Sequence, residues 1–151
     1  MKTLIAFLLL SGVLLGQTAP PPDLYFTAGS VLARGQNTTA DGFYGLKSYR
    51  IEEVRLARPM TAQIGGRQQT TNRAFRVIIL GDGFPVRNEQ AMVWAGDNLI
   101  GKAQESRDQT EVVAVTFDSG LIPEGATLAF SFGANGERQA LRERIRYTVR
   151  P

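Results

Sequence analysis

Beyond residue 45, apolar and polar residues alternate with a period of two along most of the chain, the pattern of strands with one dry and one wet face. Tyr49 and Ile51 open the first run. At Glu52 and Glu53 the alternation slips, so a bulge is expected there, and Val54 and Leu56 resume it until Arg58-Pro59 ends the strand. Phe75 to Leu80 is apolar at nearly every position, as in a strand packed on both sides. Ala91 to Trp94 follows and stops at Gly96-Asp97-Asn98. From Thr110 to Phe117, Val113, Val115 and Phe117 share one side and Val112 and Ala114 the other. Thr127 to Phe132 puts Leu128, Phe130 and Phe132 together. In the last stretch Leu141, Ile145, Tyr147 and Val149 share a face broken only by Glu143, opposite Arg142, Arg144, Arg146 and Thr148. A continuous strand from Leu141 to Val149 is predicted.

Turn clusters separate these runs at short intervals: Ile64-Gly65-Gly66, Gly81-Asp82-Gly83, Gly96-Asp97-Asn98, Asp118-Ser119-Gly120, Pro123-Glu124-Gly125 and Gly133-Ala134-Asn135-Gly136. Short strands punctuated this regularly predict a sandwich or barrel. Gly136 to Arg146 also admits a helical reading, but Ile145, Tyr147 and Val149 favour strand. The most informative segment is Phe75 to Pro85, a buried strand stopped by glycines, after which Phe84 turns back as a plug over the end of the core. A phosphate-cradling glycine loop needs a following helix and usually a lysine, and Pro85-Val86-Arg87 supplies neither.

The succession of strand, Gly81-Asp82-Gly83-Phe84-Pro85, short strand, Gly96-Asp97-Asn98-Leu99, strand and Leu121-Ile122-Pro123-Glu124-Gly125 resembles the IPT/TIG pattern over about Phe75 to Phe132. That family consists of immunoglobulin-like domains found in plexins, transcription factors and bacterial surface proteins. Trp94 and Ala95 depart from it, standing where the family often has a smaller β-branched residue, and an extra strand region precedes the match. The resemblance implies an all-β, immunoglobulin-like antiparallel β-sandwich of about seven strands with an N-terminal extension. It implies a binding or spacer role and, because the family has no common active site, assigns no functional residue.

The first residues bear on the compartment. Lys2 precedes the apolar runs Leu4 to Leu10 and Val13 to Leu15, the layout of a signal peptide, with cleavage expected after Gly16. The run is too short to span a bilayer and no later one approaches the roughly 20 residues required. The expected organisation is a signal peptide (1–16), a Pro-rich leader and N-terminal extension (17–44) and an immunoglobulin-like domain (45–151), secreted or periplasmic, with no transmembrane segment in the mature chain. The chain has no cysteine, so an exported domain must hold together without disulfides. Formal net charge is +3, and losing Lys2 leaves the mature chain at +2, too little to steer a nucleic acid, which is not an expected partner.

Without His or Cys, imidazole acid/base chemistry, thiol nucleophiles and the usual zinc sites are excluded. Carboxylates remain. Asp82, Asp97, Asp118 and Glu124 lie in expected loops, where a pair of them could serve as acid and nucleophile of a small carboxylate-dependent hydrolase, although Asp in turns ordinarily caps backbone N–H groups. Asp82, Asp97, Asn98 and Asp118 supply oxygen ligands for calcium without any calcium-loop spacing. No cofactor or metal site is assigned. Two surfaces are candidates for interaction: the basic strand Arg142, Arg144 and Arg146, which suits the wet face of a terminal strand better still, and the N-terminal aromatics Tyr25, Phe26, Phe43 and Tyr44, for which packing of an extra hairpin is the plainer account. Asn37-Thr38-Thr39 forms a glycosylation sequon, relevant only in a eukaryotic secretory pathway. The sequence thus points to a non-enzymatic module of the cell envelope whose partner is an unidentified envelope protein or polysaccharide. A carbohydrate-binding or enzyme-accessory module, with an exposed row of aromatics, is the alternative.

Overall fold

A computed structural model describes residues 26–41, 43–84, 90–103 and 109–151. Eight strands form in order: β1 (Phe26–Asp41), β2 (Leu46–Ile64), β3 (Arg67–Leu80), β4 (Ala91–Ala95), β5 (Asn98–Lys102), β6 (Glu111–Thr116), β7 (Thr127–Phe132) and β8 (Gln139–Arg144). They make two antiparallel four-stranded sheets, β1-β2-β3-β6 and β5-β4-β7-β8. The chain changes sheet between β3 and β4, between β5 and β6 and between β6 and β7. This is the Greek-key course of an immunoglobulin-like sandwich, with β1 added along the edge of β2.

The alternating residues meet between the sheets. Tyr49 and Ile51 of β2, Phe75, Val77 and Ile79 of β3, and Val112 and Ala114 of β6 pack against Val93 of β4, Leu128 and Phe130 of β7 and Leu141 of β8. Phe84 seals one end of this core, as the plug reading requires, with its ring edge-on to Phe130 at 4.9 Å between centroids. The glycine before it works differently from expectation. Gly81 does not need a positive φ; a Cβ there would lie 2.8 Å from Phe84 Cζ and 2.8 Å from the Tyr44 carbonyl oxygen, so it is close approach that requires glycine.

Three boundaries differ from the pattern. Strand β2 does not end at Arg58-Pro59 but continues to Ile64 and returns as β3, forming a long hairpin closed by Gly65 and Gly66 at φ 60° and 78°. Pro59 is tolerated because the pairing jumps from Arg55↔Arg73 to Met60↔Thr71, leaving it in an irregular stretch where no ladder N–H is required. The expected bulge is displaced as well: Glu52 and Glu53 pair in register with Arg76 and Phe75, and the nearby slip lies in β1, between Val31 and Ala33. Asn98, read as part of a turn, opens β5 instead. Finally, the last stretch is two pieces. β8 stops at Arg144; Ile145 then exchanges backbone hydrogen bonds with Gly125 and Ala126, and Tyr147 bridges to Ala33 of β1. The C-terminus thereby passes from the edge of one sheet to the edge of the other, and both halves stay amphipathic because Ile145 is buried and Tyr147 half-buried.

Candidate interaction surfaces

The loop carboxylates go to separate partners. Asp82 pairs with Lys47. Asp97 stands 3.8 Å from the Arg138 guanidinium. Asp118 accepts from Gly120 N at 2.8 Å and from Gly65 N, at the tip of the β2–β3 hairpin, at 2.9 Å. Glu124 accepts from Tyr147 N at 3.1 Å. Asn98, the remaining calcium candidate, donates to the Leu121 carbonyl. No two of the four carboxylates share a partner, and among the described residues no group of three or more His, Cys, Asp or Glu assembles.

Of the N-terminal aromatics, Tyr25 and the side chains of Phe26 and Phe43 lie outside the described residues. Tyr44 is half-buried and packs with Phe84, Phe130 and Phe132 at 5.5 to 6.1 Å between centroids. Its φ of 70° is uncommon for a bulky residue, and its carbonyl receives Asp82 N at 2.8 Å, so the cluster holds a strained turn over the end of the core. None of the described aromatic side chains is exposed. Trp94, on the outer side of the second sheet, is covered by the Arg138 guanidinium, 3.7 Å from the ring, while its indole N–H donates to Ser131 Oγ.

The three arginines of the basic strand are all exposed, but only Arg142 and Arg144 belong to β8. They share its outward face. Arg146 lies past the bend, where its backbone N–H donates to Tyr49 Oη at 3.1 Å. Arg144 also donates to the Gly125 carbonyl at 3.1 Å. The Tyr49 hydroxyl in turn donates to Arg144 O, so one phenol clamps both sides of the strand break. Burial pushes the Tyr49 hydroxyl up from its ordinary pKa, and burial pushes Tyr147 up to about 12. Asn37, the sequon residue, is fully engaged: its amide donates to Leu46 O and accepts from Arg142 N and Glu143 N, tying β1 to β2 and β8.

Two features escaped the sequence reading. On the outer face of the first sheet Glu52 is buried between Arg50 and Arg76. Burial raises its carboxyl, but hydrogen bonds from Arg76 and Arg50 outweigh that and hold it below the ordinary value. The signal was present in the spacing: Arg50 and Glu52 share a face at i and i+2, and Arg76 pairs opposite Glu52. The second feature is the β2–β3 arm. Between Glu53 and Asp82 the chain holds five arginines, Arg55, Arg58, Arg67, Arg73 and Arg76, and no acid. Arg73 pairs with Glu53 and lies over the Phe75 ring. Arg58 and Arg67 are exposed, and among the described residues no carboxylate pairs with either.

Fold and surfaces together define a cysteine-free, immunoglobulin-like β-sandwich with exposed arginines on β8 and on a long β2–β3 arm. Among the described residues no helix is long and apolar enough to cross a membrane. No family model, curated protein or solved structure matches the chain.

Proposed function

We propose that the chain is an exported, non-enzymatic immunoglobulin-like module of IPT/TIG type that binds a component of the cell envelope. The observation that carries this reading is the fate of the loop acids. Asp82 and Asp97 stand in exposed ion pairs with Lys47 and Arg138, and Asp118 and Glu124 accept from backbone N–H groups, so the four go to separate partners, whereas Arg142, Arg144 and Arg146 stand exposed along one margin of the sandwich. A rigid sandwich with exposed cations suits recognition of an anionic partner better than chemistry requiring paired carboxylates. The charged start and apolar run of residues 1–16 support export. Among the described residues no aromatic side chain is exposed, so none of them offers a stacking row. The test is retention of the mature chain on washed envelope fractions. Retention that falls when Arg142, Arg144 and Arg146 are replaced by Ser supports the β8 margin as an interface. No retention by any fraction overturns the reading.

A further inference from the structure

We propose that the β2–β3 arm binds an acidic polysaccharide, a proposal that rests on the envelope-module reading and names its ligand class and site. Charge is segregated onto this hairpin. Residues 46–80 carry seven cations, Lys47 and six arginines, against Glu52 and Glu53, a net of +5 beside the +3 of the whole chain, so the remainder is slightly negative. A polyanion meeting the molecule is therefore drawn to the arm.

The geometry is preorganised. Met60 packs on Val54, Leu56 and Ala74, and the tip is tied to Asp118 through Gly65 N. Between these anchors Met60 to Ile64 pair with Arg67 to Thr71, a ribbon roughly 16 Å long. Cross-strand register puts Thr61 with Thr70 and Gln63 with Gln68 on one face, all four exposed, and the two threonine hydroxyls are 3.3 Å apart. Gln69 and Asn72 are exposed too. Amides and hydroxyls of this density match sugar hydroxyls, and the planar guanidinium forks of Arg58 and Arg67 match carboxylates bidentately.

The same residues disfavour the other polyanions. The arm has no aromatic residue between Tyr49 and Phe75, so it offers no platform for stacking bases. Its turn is Gly65-Gly66, and the flanking Ile64 is half-buried, so no large exposed apolar side chain stands at the tip to enter a lipid surface.

The experiment measures binding of the mature chain to polygalacturonate, with dextran, short single-stranded DNA and vesicles of phosphatidylcholine and phosphatidylglycerol in parallel, at increasing NaCl. The expected result is salt-sensitive binding to polygalacturonate that exceeds binding to the other probes. Arg58→Ser with Arg67→Ser is expected to weaken it about ten-fold while the thermal melt stays unchanged, because both side chains are exposed. Tighter binding to DNA or vesicles overturns the proposal. So does polygalacturonate binding that survives the arm substitutions but is lost in the Arg142, Arg144 and Arg146 variant, an outcome that leaves the envelope module standing. Failure to bind polygalacturonate with intact envelope retention likewise removes only the arm. Loss of both removes both.

Discussion

A methyl group added at Gly81 would meet the Phe84 ring and the Tyr44 carbonyl oxygen, and the carbonyl belongs to a turn already held at positive φ. Neither neighbour has room to withdraw. Gly81→Ala is therefore expected to destabilise the fold by about 1–3 kcal/mol, measured by urea denaturation, with reduced packing of the Tyr44, Phe84 and Phe130 rings. Glu52 acts through charge. Its carboxyl titrates lower in the folded chain than in the unfolded one, so its stabilising contribution is complete above the ordinary value of 4.5 and is lost as pH falls through the folded value. Glu52→Gln is expected to cost about 1–2 kcal/mol at neutral pH, since Arg50 and Arg76 lose their shared anion but remain partly solvated. The same variant flattens the stability profile below pH 4.5, and an unchanged acid slope in a pH series of melts would count against this assignment.

At the scale of elements, the β2–β3 hairpin shows how a local pattern extends into an arm. Alternation and the paired glycines of its turn were both visible in the sequence, yet the strand was expected to end at Pro59. A proline ends a regular ladder, but an irregular stretch between Arg55 and Met60 absorbs it, and only pairing with β3 reveals that. Asp118 then locks the tip from 53 residues away. Asp118→Ala is expected to raise amide exchange at Gly65 and its neighbours by about ten-fold, corresponding to roughly 1.4 kcal/mol, and to leave β7 unchanged. Equal exchange in both forms would mean the tip is held by Met60 and its neighbours alone. The terminal segment teaches the complementary lesson. Its amphipathic period was legible from Leu141 to Val149, but period two is the same whichever sheet a strand joins, so the crossing at Ile145 left no mark in the pattern.

For the molecule as a whole, that crossing closes the sandwich. Residues 145–151 contribute the buried Ile145, a Tyr147 hydroxyl donated to Ile122 O at 2.7 Å and Thr148 N donated to Leu32 O at 2.9 Å, joining β1 to the loop before β7. Deleting them is expected to remove about 3–5 kcal/mol, a large part of the stability of a domain this size. Both sheets should then lose structure in a single transition at lower denaturant, because one core spans them. Near wild-type stability of the truncated chain would show that the closure is dispensable.

The sequence by itself determined the class of fold, since alternating residues such as Leu128, Phe130 and Phe132, and turns at regular intervals, leave a chain without disulfides little choice but to bury one face of each strand. It also determined the role of Phe84, because an aromatic after a glycine turn has only the end of the core to fill. The tertiary structure alone decided which side chains meet across long separations: Glu52 with Arg76, Asp118 with Gly65, Asn37 with β8, Tyr49 with the break at Ile145. Those contacts depend on strand order and register, which a period of two does not encode. They are also why Asp118, which read as candidate chemistry, became part of the frame, and why the exposed arginines of β8 and of the β2–β3 arm are where recognition is proposed.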